Sequence, residues 1–157
     1  MPRQPPSRRQ DYRVFHPLQT RWADSDRYGH MNNVVHYALF DTAINAWLIE
    51  RGLLHLGANQ PSADAPHQIG LVVETGCRYH AEMAFPDRVT AGLRLGRLGT
   101  SSVRYEIGLF RNDADVAAAD GHFVHVYVDR ATRRPEPLAP AFRQALEELR
   151  VESPGPG

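Results

Sequence analysis

Lysine is absent from this 157-residue chain; all 18 of its basic residues are arginine. A Schiff-base enzyme needs a lysine amine, and a Gly-Lys-Ser/Thr phosphate loop needs a lysine at the phosphates, so both classes are excluded. Cysteine is nearly absent. The single Cys77 rules out an intrachain disulfide framework and fits a reducing compartment. There is no Gly-x-Gly-x-x-Gly dinucleotide loop and no Cys-x-x-Cys pair. No apolar run approaches the ~20 residues that cross a bilayer, and the first ten residues lack the apolar stretch of a signal peptide. An excess of either charge sign is missing too: 18 basic residues face 18 acidic ones. Nucleic-acid proteins normally carry a basic surplus. These absences set the expectation of a cytoplasmic protein that needs no cofactor and has no nucleic-acid or membrane partner.

What is present reads as one globular domain. The length favours a single core, and the 42% apolar content is ordinary for one. Residues 1–10 and 152–157, rich in Pro, Gly and charge, are expected to be flexible tails around a domain at 11–151. A first strand is expected at 13–22, weakened by Pro17. The clearest helix runs from Val34 to Arg51, with Asn32 or Asn33 able to cap its start and Gly52 suited to its end. It is apolar nearly all round, which predicts that other structure encloses it. A turn-rich loop at 57–68 follows. Strands are then predicted at 69–83, around Val89–Leu95 and Val103–Leu109 with a period of two, and at 122–129. A short amphipathic helix closes the domain from about Pro140 to Arg150. The pattern implies an α+β fold, an antiparallel five-stranded sheet wrapped around one long helix.

Residues 21–37 carry the chemistry: Arg-Trp-Ala-Asp-Ser-Asp-Arg-Tyr-Gly-His-Met-Asn-Asn-Val-Val-His-Tyr. A helix N-terminus offers unpaired N–H donors and partial positive charge. Aimed at a carbonyl, it stabilises the oxyanion of a tetrahedral intermediate. A carboxylate on the loop leading into the same helix can then attack the carbonyl carbon or activate water. The run Asp-x-Asp, Gly-His-x-Asn-Asn and a following aromatic residue resembles the signature of the 4-hydroxybenzoyl-CoA thioesterase family of hotdog proteins. Weaker similarities at Arg97–Ser102 and His125–Asp129 extend the resemblance over roughly residues 13–150. It implies a hotdog fold and an acyl-CoA thioesterase. Asp26 would be the catalytic carboxylate and the backbone N–H near Asn33 the oxyanion donor. Gly29, His30, Asn32, His36, Tyr37 and Ser102 would be substrate-binding candidates. The resemblance also implies a homodimer joined through its sheet, with tetramers as a further association and with Asp26 facing the partner's strand around Glu74 to His80. Two departures stand out. The family usually has Tyr ten residues after the catalytic Asp, where this chain has His36. Plant acyl-carrier-protein thioesterases have a catalytic Asn where this chain has Tyr28, so that role does not transfer.

Other readings weigh less. Asp24 is expected to be a loop carboxylate. His122 and His125, three apart on a strand, point to opposite faces and cannot chelate one ion together; no metal site is expected. Cys77 reads as a small strand residue, and Ser101 and Ser102 lack a nucleophile elbow. Arg78, Arg88 and Arg97 suit the phosphates of coenzyme A by their fork geometry, with solvated surface arginine as the plainer role. The alternatives to acyl-CoA hydrolysis are a non-catalytic acyl or acyl-CoA binding protein and a thioesterase acting on acyl-carrier protein. The acyl group itself is not legible.

Overall fold

The computed structural model describes residues 4–54 and 68–151. The expected tail at 152–157 lies outside them, as does the expected loop at 57–68 except for Gln68, which opens a strand. The element order is β1 (Val14–Gln19), α1 (Val35–Glu50), β2 (Gln68–Tyr79), β3 (Arg88–Leu98), β4 (Ser102–Arg111), β5 (Ala119–Asp129) and α2 (Pro140–Glu147). Single 3-10 turns at Arg9–Asp11 and Trp22–Asp24 precede the two N-terminal elements. The strands form one antiparallel sheet in the order β1-β3-β4-β5-β2. This is the expected α+β architecture. Pro17 is accommodated because β1 is an edge strand, where a missing N–H interrupts no second ladder.

The alternation along β3 and β4 sorts their residues as the period of two predicts. Val89, Ala91, Leu93, Leu95, Val103, Tyr105, Ile107 and Leu109 are buried in the core shared with α1. Helix α1 buries His36, Phe40, Ala43, Ile44, Trp47 and Leu48, residues three and four apart that form one stripe. The opposite stripe, with Ala38, Asp41, Thr42 and Ile49, is exposed. The expectation of an enclosed helix is therefore corrected: the sheet covers one face only, and Asp41, Thr42 and Asn45 put a polar strip on the other. No described helix is long and apolar enough to cross a membrane.

The N-terminal stretch also departs from expectation. From Ser7 onward it is pinned, not loose. The Ser7 N–H donates to Asp120 Oδ2 at 3.0 Å, its hydroxyl pairs with Tyr12 Oη at 2.8 Å, and the Arg9 guanidinium donates to the Ala114 and Asn112 carbonyls. Tyr12 then lies flat on the outer sheet face above Gly92 and Gly108. Composition suggested a tail because Pro and Arg dominate it, yet its polar groups find partners on β5 and in the turn between β4 and β5.

Close packing of helix on sheet sets one severe constraint at Gly121. A Cβ there would run into the Gly76 carbonyl oxygen and lie 2.6 Å from Phe40 Cε2. Gly121→Ala is expected to destabilise the fold by about 1–3 kcal/mol, the usual cost of overpacking. Urea unfolding measures this, and an unchanged midpoint would contradict the packing described.

Candidate active site

The segment from Asp24 to Asn32 folds back on itself. The Asn32 N–H donates to the Asp24 carbonyl at 2.8 Å, the Asp26 N–H donates to the His30 carbonyl at 2.7 Å, and Ser25 and Met31 form a bridge between these rungs. Gly29 makes the return, with φ at +81° and its N–H on the Asp26 carbonyl at 3.1 Å. A side chain would strain that left-handed backbone. The Met31 N–H ties the loop to the Met83 carbonyl at 2.7 Å. This miniature ladder explains the motif's spacing. Asp26, seven residues ahead of Asn33 in the chain, ends two rungs, roughly 7 Å along the strand direction, from Asn32.

The two aspartates have different surroundings. Asp24 is buried: its Oδ2 accepts the Arg21 N–H at 2.7 Å and its Oδ1 accepts the Arg21 guanidinium at 2.8 and 3.0 Å. It holds the entry to the loop, the structural role expected of it. Asp26 is half-buried. Its Oδ1 accepts the N–H groups of Tyr28 at 2.8 Å and His30 at 3.2 Å. Among the described residues nothing bonds its Oδ2.

Helix α1 starts beside this loop. The cap position falls on Val34, which has no side-chain cap bond, so the expected Asn cap is corrected: Asn32 instead makes an Asx turn just ahead of the helix, its Oδ1 accepting the Val34 N–H at 3.1 Å. The Asn32 carbonyl accepts the Val35 N–H at 2.9 Å, so it points into the helix. In a trans peptide the N–H points the opposite way. The Asn33 N–H therefore faces out from the helix start, and among the described residues no group accepts it. The Asn33 carbonyl accepts the Tyr79 hydroxyl at 2.8 Å and lies 3.2 Å from His36 Nδ1. The His36 ring meets the Tyr79 ring edge-on, with centroids 4.7 Å apart.

A cleft of about 260 Å³ opens at this point, lined among others by His30, Asn33, His36, Tyr79, His80 and Met83. Of the expected site residues, His30 and Asn33 on the approach to the helix and His36 in its first turn line this cleft, while Asp26, Gly29, Asn32 and Tyr37 are not among its lining residues. His30 is exposed and its Nε2 lies 3.1 Å from Glu82 Oε2. Tyr37 is half-buried and packs edge-on against Phe40 at 6.2 Å. Ser102 is not part of this group. It begins β4 opposite Val126, whereas the helix start faces the other end of the sheet, where Leu109 pairs with Ala119 and Ala119 with Tyr79. Seven residues of β4, about 23 Å, separate the two ends.

Sequence reasoning missed Glu82, and it placed the strand from Glu74 to His80, Tyr79 included, only on a partner chain. Tyr79 and His80 of the same chain already line the cleft. Nothing in the local pattern signals this, because it depends on β2 passing under the helix start. His80 Nε2 stands 3.1 Å from Asp120 Oδ2, within ion-pairing distance though off the line of a hydrogen bond. Burial pushes the Asp120 carboxyl up, but the Ser7 N–H, His80 and Arg78 together hold it below the usual carboxylate range. Arg78 is engaged with Asp120 at 3.0 Å, and Arg88 and Arg97 lie near opposite ends of β3. Burial raises the Cys77 thiol to about 11, which removes the thiolate at neutral pH. His122 points outward to Glu74 Oε2 at 2.9 Å while His125 packs inward against Tyr105, the opposite-face placement expected. Among the described residues no cluster is arranged to hold a metal ion.

A five-stranded antiparallel sheet carrying one long helix, with a carboxylate on a loop at the helix start, is the hotdog architecture of thioester hydrolases. Comparison with known proteins agrees. The family model described as the thioesterase-like superfamily matches residues 20–146. The chain belongs to that superfamily. The PA5185 protein of Pseudomonas aeruginosa strain PAO1 shares 46% identity, with a TM-score of 0.86 over 96% of this chain and 100% of that one. A 1,4-dihydroxy-2-naphthoyl-CoA thioesterase from Synechocystis has a TM-score of 0.74 over 84% of this chain and 93% of its own, but at 16% identity it speaks for the fold alone. A curated relative from Agrobacterium fabrum, an L-carnitine dehydrogenase/betainyl-CoA thioesterase, is 27% identical over 135 residues. Those residues are 86% of this chain and 26% of that protein, so the chain spans about a quarter of that relative's length.

Two buried imidazoles give the fold a pH signature. Burial lowers the pKa of His36, against the partial offset of the Asn33 and Asn32 carbonyls, and lowers that of His125 despite the Asp41 charge nearby. His125 lines an apolar cavity of about 370 Å³ with Leu48, Leu53, Ile69, Tyr127 and Phe142. Both rings are neutral when folded and bind protons on unfolding below the ordinary value of 6.5. Their contribution to stability is complete above that pH and is lost as pH falls through it towards the lowered folded values. From pH 7.5 to 5.5 the wild type should lose more stability than a His125→Phe variant, in which one such ring is gone. Urea midpoints at the two pH values test this; an equal fall in both proteins would contradict it.

Proposed function

We propose that the chain hydrolyses acyl-CoA thioesters to the free acid and coenzyme A. The observation that supports this reading is an anchored, half-buried Asp26 carboxylate on the loop that leads into a helix start where, among the described residues, no group accepts the Asn33 N–H. The thioester carbonyl oxygen takes the Asn33 N–H, reinforced by the partial positive charge of the α1 N-terminus. Asp26 presents Oδ2 to the carbonyl carbon while Oδ1 stays in its turn. The carboxylate either adds to that carbon, expelling the coenzyme A thiolate and leaving a mixed anhydride that water cleaves, or takes the proton of an attacking water. His30, Asn32, His36 and Tyr37, with the turn at Gly29, border the bound acyl group. The betainyl-CoA thioesterase portion of the Agrobacterium relative supports a coenzyme A thioester as substrate.

The test is turnover on a panel of aromatic, short and longer aliphatic acyl-CoAs. Asp26→Asn should keep the fold and KM but lower kcat by at least ~10²-fold, the lower range for a positioned acid–base or nucleophilic group. Near-normal turnover by a folded Asp26→Asn protein would falsify the mechanism.

The working unit is proposed to be a dimer paired along β2. That strand is an unpaired sheet edge bearing exposed Leu71, Val72 and Val73, and such edges are normally covered. Two-fold pairing along it is antiparallel and closes on itself. It carries the Ser102 end of a second copy's sheet towards this chain's helix start, so that Ser102, as a substrate-binding candidate, would serve the partner's site. It also brings the open faces of two α1 helices together. Sedimentation at assay concentration should find a dimer or a multiple of it, with activity lost on dilution to monomer; a fully active monomer would refute the shared site.

A further inference from the structure

We infer that Tyr79 is a positioning residue for the oxyanion donor: its hydroxyl fixes the first turn of α1 to the sheet and so aims the Asn33 N–H. The inference rests on the catalytic reading above and extends it to a residue outside the motif.

Two peptide planes meet at Asn33. The plane that contains its N–H is held through the Asn32 carbonyl by the Val35 N–H at 2.9 Å. The next plane is gripped at both ends. Its N–H, that of Val34, donates to Asn32 Oδ1 at 3.1 Å, and its carbonyl accepts the Tyr79 hydroxyl at 2.8 Å beside His36 Nδ1 at 3.2 Å. Rigid peptide planes leave only the two Asn33 dihedrals between them, so holding both planes fixes the donor's direction.

These holders are not equivalent. Asn32, Val35 and His36 belong to the helix start itself and move with it. Tyr79 is 46 residues away in sequence, on the edge strand β2. Of the groups on the Asn33 carbonyl it alone ties the donor to the sheet. The connection between β2 and β3 anchors the Asp26 loop, through the Met31 N–H on the Met83 carbonyl. Tyr79 and Met83 thus hold donor and carboxylate to one frame. Oxyanion stabilisation needs the donor within about 2.7–3.1 Å of where the charge develops, and small misplacement is costly. The His36 ring, edge-on to Tyr79 at 4.7 Å and poor in protons because it is buried, steadies the phenol without competing for the carbonyl as a cation.

Tyr79→Phe removes only the hydroxyl. Steady-state kinetics on the best acyl-CoA should show kcat lowered about five- to tenfold with KM within twofold, the scale of one hydrogen bond lost in the transition state. His36→Asn, which keeps a donor near the Nδ1 position, should retain more activity in the Tyr79→Phe background than His36→Leu does. An activity-independent readout is the backbone amide resonance of Asn33, which should shift or broaden in Tyr79→Phe while core amides of β4 stay in place. Turnover within twofold of wild type, or an unmoved Asn33 resonance, overturns the proposal. Failure of the catalytic reading shows differently: a fully active Asp26→Asn protein removes the mechanism and leaves the Asn33 resonance result standing.

Discussion

The hydrogen bond from the Asn32 N–H to the Asp24 carbonyl closes the loop on which the site depends. Without that closure Asp26 has no fixed relation to the helix that follows. With it, one short ladder settles three things: Asp26 is held two rungs from Asn32, the Asn32 side chain is placed to accept the Val34 N–H, and the Asn32 carbonyl points down the helix so that the next N–H points out. The buried Asp24 carboxylate secures the other arm by gripping Arg21 through both backbone and guanidinium. The chemistry proposed for Asp26 is therefore inseparable from the structural duty of its neighbour two residues earlier.

Much of the architecture was legible because it follows from local rules. The period of two in Val89–Leu95 and Val103–Leu109 put the right side chains in the core, and the helix from Val34 to Arg51 came out within one residue at each end. The local shape of the candidate segment was legible for the same reason: Asp26, Gly29, Asn32 and Asn33 sit in one continuous stretch whose turn chemistry is local. The rest depends on contacts distant in sequence. Tyr79 reaches Asn33 only because β2 pairs at the far edge of the sheet. Counting apolar residues in α1 hid the strip of Asp41, Thr42 and Asn45 that marks its open face. Composition around Arg8 and Arg9 spoke for a tail, but whether a polar segment is loose depends on acceptors elsewhere, here the carbonyls of Asn112 and Ala114.

The division of the molecule into a dry side and a wet side follows from the same geometry. One sheet face carries the helix and the aliphatic core. The other carries paired charges, with Glu106 between Arg94 and Arg104 and Glu74 beside His122. The site lies at neither place but at the rim, where the helix start overhangs the end of the sheet. There backbone donors stay free of the core yet are held by it, and a polar acyl carbonyl can approach without crossing apolar packing.

On the wet side, the Tyr12 ring rests where any side chain larger than hydrogen at position 92 or 108 would stand. The ring and its two-glycine bed form a lock whose parts cannot change one at a time. A smaller residue at position 12 leaves a groove in the sheet's outer surface, and a larger one at either glycine expels the ring along with the Ser7 contact it carries. Divergence among chains of this architecture should therefore treat the three positions as one inherited unit, exchanged together for a different filling of the same surface.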